Sequence, residues 1–302
     1  MPAPILVIGS ANTDMVVKTA KLPAPGETVL GGKFLMNPGG KGANQAVAAA
    51  RLGGTVTFVA KVGDDVFGRE ARAGFIREGM DTQYVLTDPD RPSGVALINV
   101  DEHGENCIAV APGANGNLQP TDVAPALQAA PPETLLLLQL EIPLPTVEQA
   151  VKLAAERGLR VVLNPAPAQA LPDSLFVNLF LITPNETEAE TLTGIRVTGE
   201  ATAERAARKF HDMGVQNVII TLGAKGAYLH TADGGGTMIN TPPVSPVDTT
   251  AAGDCFNGAL TVALAENQSL TDAVTFACRA ASISVTRMGA QASMPTQADL
   301  TK

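Results

Sequence analysis

The sequence predicts an α/β fold: a three-layer αβα domain around a mainly parallel central sheet, with a small projecting β-sheet as a lid. Three observations carry this reading. Short runs rich in leucine and β-branched residues recur along the chain, alanine-rich amphipathic stretches separate them, and two regions break the alternation with hairpin-like patterns.

In chain order the strands are ILVIG from Ile5, TVTFVA from Thr55, TLLLLQL from Thr134, LRVVLN from Leu159, LFLIT from Leu179 and NVIIT from Asn217. A strand covered on both faces needs no polar alternate, so continuous apolar runs of this length read as buried parallel strands. The intervening stretches have recognisable helix ends. From Thr146 to Gly158, Thr146 and Gln149 have capping-box spacing and Gly158 supplies a stop, so a helix is expected between them. Met15 to Met36 and Gly94 to Val110 read instead as antiparallel strands, the second folding at Asp101-Glu102-His103-Gly104. Together they are expected to form the lid; an antiparallel edge on the main sheet is the alternative. No Gly/Ser linker or internal repeat divides the chain, so residues 1–302 read as one domain with lid strands at about 15–36 and 94–110.

Composition narrows the function. The chain is 45% hydrophobic and 17% charged, which suits a globular core. Its formal net charge of -9 opposes binding to nucleic acid or an anionic membrane, so an anionic ligand needs a local site. No apolar run approaches membrane-spanning length, and Met1 to Gly9 lack the features of a secretory signal, which together predict a cytoplasmic protein. Cys107, Cys255 and Cys278 are odd in number and far apart, and His103, His211 and His230 lack ligand spacing. A disulfide framework, a zinc site and a His-based triad therefore have little support.

Local chemistry concentrates in a few segments. In DTTAAGD, Asp248 to Asp254, the small residues Ala251, Ala252 and Gly253 precede a helical run from Cys255 to Glu266. Unpaired N–H groups and the positive dipole end make such a helix start an anion site. Asp254 at its mouth suits a general base taking the proton of an attacking hydroxyl, although the same pattern serves a plain N-cap. In NPGGKGANQ, Asn37 to Gln45, the glycines permit close backbone approach while Lys41 and Asn44 offer donors to sugar oxygens. The segment is not a Walker A loop, because Gly42 follows Lys41, and a glycine turn with a solvated Lys41 is the other reading. GSANTD, Gly9 to Asp14, follows the first strand without a dinucleotide fingerprint; Asn12 and Asp14 suit hydroxyl recognition or a turn. Asn185 and Glu188 have capping-box spacing, and a carboxylate there also suits Mg²⁺ through water. The turn Thr221 to Gly226 suits phosphate or adenosine.

GGKGANQA, NPAPA from Asn164, TPNETE from Thr183, TLGAKG and DTTAAGDCFNGA occur in the order seen in ribokinase-like carbohydrate kinases, and the chain resembles that family from about Ile5 to Ser293. The resemblance implies one αβα domain with a β-lid that pairs between subunits, hence a homodimer. It also implies transfer of the γ-phosphate of MgATP to the 5-hydroxyl of D-ribose. Carried over by position, Asp254 is the base and Ala252 and Gly253 the anion hole. Asn12, Asp14, Gly40, Lys41, Asn44 and Glu141 then meet the sugar. Asn185, Glu188, Thr221, Gly223, Lys225, Gly226, Gly253 and Cys278 match the ATP and Mg²⁺ region, Cys278 standing where the family can carry a histidine near adenine. Asp248, Thr250, Ser284, Arg287, Gly289 and Ser293 match a site for K⁺ as monovalent activator.

Related activities are the alternatives: a deoxyribokinase, a fructokinase-like or ketodeoxygluconate-type kinase, or an adenosine or pseudouridine kinase. The amide of Asn12 beside Asp14 suits a ring that keeps its 2-hydroxyl. A non-catalytic sugar sensor has no use for a carboxylate beside an anion hole, and a Rossmann dehydrogenase needs the glycine fingerprint that is missing.

Overall fold

The computed structural model describes residues 2–301. β1 (Ile5–Ile8) is followed by β2 (Asn12–Lys18) and β3 (Lys33–Gly39), then α1 (Lys41–Arg51) and β4 (Val56–Gly63). Next come α2 (Val66–Arg77), β5 (Val85–Asp88), β6 (Gly94–Val100), β7 (Asn106–Ala111), α3 (Pro120–Ala129) and β8 (Leu135–Leu138). Regular alternation then sets in with α4 (Leu144–Glu156), β9 (Arg160–Leu163), the single turn α5 (Asp173–Phe176), β10 (Leu181–Ile182), α6 (Glu186–Thr193), α7 (Glu200–Asp212) and β11 (Asn217–Thr221). A hairpin of β12 (Ala227–Thr231) and β13 (Gly236–Ile239) precedes α8 (Ala252–Ala265), α9 (Leu270–Ser284) and α10 (Gln297–Leu300).

Nine strands form the main sheet in the order β13-β12-β11-β10-β9-β8-β1-β4-β5. All neighbours from β5 to β11 run parallel, and the β12–β13 hairpin adds an antiparallel edge. Strand alternation divides the core. Ile5, Val7, Leu135 and Leu137 pack with α1, α8 and α9 on one face, while Leu6, Ile8, Leu136 and Leu138 pack with α3, α4 and α7 on the other. Each buried Leu or Ile is worth roughly 1.5–3 kcal/mol, and burial on both faces is why these runs carry no polar alternate.

Two glycines bring α1 close to its neighbours. A Cβ on Gly42 would come within 2.6 Å of the Gly9 carbonyl carbon, and one on Gly258 within 2.6 Å of the Gln45 carbonyl oxygen. Only glycine lets α1 lie directly against β1 and α8, and that approach sets the spacing of the site described below.

The lid is a separate four-stranded sheet in the order β3-β2-β6-β7. Its two hairpins are antiparallel as expected, but they meet along a parallel β2–β6 seam. The strands also outrun the predicted limits, because Asn12 pairs with both Gly39 and Gly94 and starts β2 at the root of the lid. Asn12 and Asp14 therefore sit on a lid strand instead of a turn. One helix end needs correction: α4 starts at Leu144 with Pro143 as N-cap, so Thr146 lies inside the first turn and forms no capping box with Gln149. Its hydroxyl is spent elsewhere, donating to Leu118 O at 2.6 Å. Proline next to a helix start, pre-set in φ and needing no amide partner, outcompetes the Thr146 signal. Gly158 does follow the helix with a left-handed φ of 69°.

Candidate active site

Where the strands end at their carboxyl edge, the starts of α1, α6 and α8 converge on a cleft of about 670 Å³. Lys41 of α1, Asn164 after β9, Asn185 before α6, Thr221 ending β11 and Asp254 of α8 all line it. Open α/β sheets bind ligands at this edge because helix N-termini and strand ends leave polar groups there.

The start of α8 has the form of an anion site. Ala251 takes a left-handed φ of 58°, which turns the chain into the helix. Ala252 N donates to Thr249 O at 3.2 Å, so its N–H is engaged in that turn. Among the described residues, no acceptor meets the N–H groups of Gly253 and Asp254. A Cβ on Gly253 would touch nothing within 4 Å, so the space above it is open cleft.

Asp254 is only 6% exposed, and α1 holds both of its oxygens. Asn44 Nδ2 donates to Oδ2 and Gln45 Nε2 to Oδ1, each at 2.9 Å. Burial pushes the Asp254 pKa above the ordinary carboxylate value, against the pull of Lys41 and the two amides and with the push of Glu141. Burial works against the Lys41 ammonium as well, but Asp254, Glu141, Glu188 and Asp14 outweigh it and leave the pKa of Lys41 raised. The result is a basic carboxylate and a firmly charged ammonium in one pocket.

The remaining predicted sugar residues gather at the lid root. Glu141 Oε2 accepts from Ser10 Oγ at 2.6 Å and from Lys41 N at 2.9 Å, so this carboxylate caps α1, whose N-cap residue Gly40 has no side chain to do so. Gly40 itself holds a φ of 89°, and a Cβ there would come within 2.7 Å of Asn12 N. Asp14 lies against Gly39, and its pKa is pushed up to about 6 by burial first, then by Glu141 and Asp254. Asn12 Oδ1 accepts from Asn115 Nδ2 at 2.7 Å, which leaves the Asn12 Nδ2 group as the donor. Asn115 also bonds both backbone groups of Ala11 and is a fixture the sequence reading missed.

At the nucleotide end, Asn185, Glu188, Thr221, Gly223, Gly226, Gly253 and Cys278 line the cleft; Lys225 is not among its lining residues. Asn185 and Glu188 form the reciprocal capping box, with Glu188 Oε2 accepting from Asn185 N at 2.9 Å and Asn185 Oδ1 from Glu188 N at 2.8 Å. Burial raises the pKa of Glu188 against its hydrogen bond from Asn185. Burial pushes the Cys278 thiol up to about 11, so a neutral thiol faces the cleft.

The segments predicted for K⁺ do meet. Val247 N and Asp248 N donate to Val285 O, and Gly289 N donates to Asp248 Oδ2 at 2.8 Å. Burial alone would raise Asp248, but donors from Thr250 and Gly289 outweigh it and hold the carboxylate ionised. Ser284 and Ser293 are buried, their hydroxyls donating to Ala281 O and Ala290 O. The Arg287 guanidinium is paired with Asp299 at 2.9 Å, so only its backbone is available to such a site.

With this geometry in place, similarity to known proteins is informative. The model of the pfkB family carbohydrate kinases matches residues 3–297. The chain is 46% identical to a ribokinase of Haemophilus influenzae, over 97% of this chain and 95% of that one. It is 39% identical to a deoxyribokinase of Salmonella typhi over 97% of this chain and 95% of that one. Among solved structures, the ribokinase of Arabidopsis thaliana complexed with ribose and ATP superposes with a TM-score of 0.91 at 32% identity, covering 100% of this chain and 98% of that one.

Proposed function

The chain belongs to the pfkB family of carbohydrate kinases, and on that premise we propose that it is an ATP-dependent kinase that phosphorylates D-ribose on its 5-hydroxyl. The observation that carries this reading is the buried Asp254 carboxylate beside the free N–H groups of the α8 start, within reach of the α1 donors Asn44 and Lys41. The sugar lies at the lid root against Asn12, Asp14, Gly40, Asn44 and Glu141, and ATP occupies the cleft along Asn185, Thr221 to Gly226 and Cys278. Asp254 takes the proton of the 5-hydroxyl as that oxygen bonds to the γ-phosphorus and the bond to the β-phosphate oxygen breaks, releasing ADP. Gly253 and Asp254 N–H groups, with Lys41, oppose the charge that develops on the moving phosphoryl group.

Oxygen donors are what a hard cation requires, and Asn185 with Glu188 fit as anchors of a hydrated Mg²⁺ that would neutralise phosphate charge. The ionised Asp248 and the turn that it ties to Gly289 fit a monovalent cation, which would stiffen the α8 start. The Salmonella deoxyribokinase keeps one second reading open, 2-deoxyribose as substrate. Asn12 favours ribose: Asn115 holds its amide as a donor, and a buried donor left unpaired disfavours the deoxy sugar. Among the described residues no helix is long and apolar enough to cross a membrane. A reducing cytoplasm suits free Cys255 and Cys278, and cell fractionation that recovered the protein elsewhere would contradict that placement.

Replacing the base tests the central step. Asp254→Asn should keep sugar and nucleotide binding, measured by calorimetry, and lower kcat by on the order of 10² to 10⁴-fold. Near-normal kcat in this variant would remove Asp254 as the base.

A further inference from the structure

Gln45 is fully buried, does not line the cleft, and yet makes one of the two hydrogen bonds to Asp254. Its orientation is fixed by a chain of amides that ends on a backbone carbonyl. Thr183 O can only accept, so Asn164 must present Nδ2 to it, at 3.1 Å, and turn Oδ1 the other way. Asn164 Oδ1 then receives Gln45 Nε2 at 3.0 Å, and the second hydrogen of that same nitrogen goes to Asp254 Oδ1 at 2.9 Å. Gln45 Oε1 in turn accepts from Gln139 Nε2 at 2.6 Å. A flipped Gln45 would set its oxygen against the oxygens of both Asp254 and Asn164.

The chain is directional: three buried amides on three different segments make Asp254 Oδ1 the acceptor of a hydrogen bond, which favours the ionised carboxylate over the protonated one. The same relay reaches the anion site, since Thr183 Oγ1 donates to Asn257 Oδ1 at 2.6 Å and Asn257 Nδ2 to Gly253 O at 2.8 Å. We propose that Gln45 is a positioning residue for phosphoryl transfer: locked by Gln139 and Asn164, its amide keeps Asp254 ionised and oriented toward the sugar hydroxyl. This rests on the reading of Asp254 as base. It assigns Gln45 a role distinct from its neighbour Asn44, whose side chain serves both Asp254 and the sugar.

The charged and titratable groups around Asp254 are Lys41, Glu141, Asp14, Glu188 and the buried Cys255 thiol, which burial keeps neutral, and none of them changes in a Gln45→Met variant. Removing one hydrogen bond to a buried carboxylate should raise the acid limb of the kcat–pH profile by about one pH unit. The KM for ribose should move less than about threefold, because Gln45 does not face the cleft. Gln139→Met, which removes the donor to Gln45 Oε1 and so loosens its lock, should shift the limb in the same direction by less. If Gln45→Met does not accumulate as folded protein, Gln139→Met decides alone. A merely structural role for Gln45 would lower activity and melting temperature with the limb unmoved, and that result overturns the proposal. Asp254→Asn, assayed in parallel, separates the two failures: an active Asp254→Asn enzyme overturns the base itself, whereas an inactive one with unshifted limbs in the folded variants overturns only the role of Gln45.

Discussion

Lys41 is one ammonium among four carboxylates, and the imbalance has a measurable consequence at Asp14. Its pKa is pushed up to about 6 from a usual 3.8, chiefly by burial, so the folded protein holds that proton more tightly than the unfolded chain does. The stability linked to this group is complete below about pH 4 and is lost as pH rises through about 6. In the ligand-free protein, Asp14→Asn should therefore gain stability over the parent as pH is raised from 5 to 8, by at most about 1.4 kcal/mol, the one pKa unit that lies between pH 5 and 6. A difference between the two that does not change with pH would refute the assignment. The gain should come with weaker sugar binding, since the ionised carboxylate is the better acceptor for hydroxyls. Residues of this kind were legible when they stood in glycine-rich stretches, as Asp14, Lys41, Asn44 and Asp254 do. Gln45, Asn115 and Asn164 were not assigned roles, because their partners lie 209, 104 and 119 positions away and no local spacing announces them.

The elements show the same division. The apolar runs gave the parallel strands because burial on two faces leaves an unmistakable composition, whereas β5 and the β12–β13 hairpin were missed among turn signals. The α4 start went to Pro143 over Thr146. At α8 the anion site depends on the turn from Asp248 to Ala251, and its neighbour in space is the turn after α9, joined by Asp248 to Gly289. On the proposed reading, a cation bound between these two turns would act on the direction of the Gly253 and Asp254 N–H groups without touching substrate. At constant ionic strength, kcat should be higher in K⁺ than in tetramethylammonium, and Asp248→Ala should flatten the difference. Equal rates in both salts, with the protein first freed of tightly held potassium, would remove this site.

On the scale of the whole molecule, the lid has apolar side chains on both faces. Phe34, 60% exposed, pairs with Val17 on one face, and Ile108, 54% exposed, pairs with Ile98 on the other. A sheet of this composition suits a second copy of itself, and residues 1–302 as one αβα domain with a lid would then act as a homodimer closed across the sugar sites. Sedimentation should give a dimer at micromolar concentration. Phe34→Asp combined with Ile108→Asp should give a folded monomer that melts in one transition and has a raised KM for sugar; a monomeric parent protein would contradict the pairing. The most direct measurement is ³¹P NMR of the product formed from MgATP and D-ribose, alongside kcat/KM for ribose and 2-deoxyribose. The expected result is a phosphomonoester coupled to the C5 protons, with ribose the better substrate. Phosphate on another carbon, or 2-deoxyribose turned over as well as ribose, would contradict it.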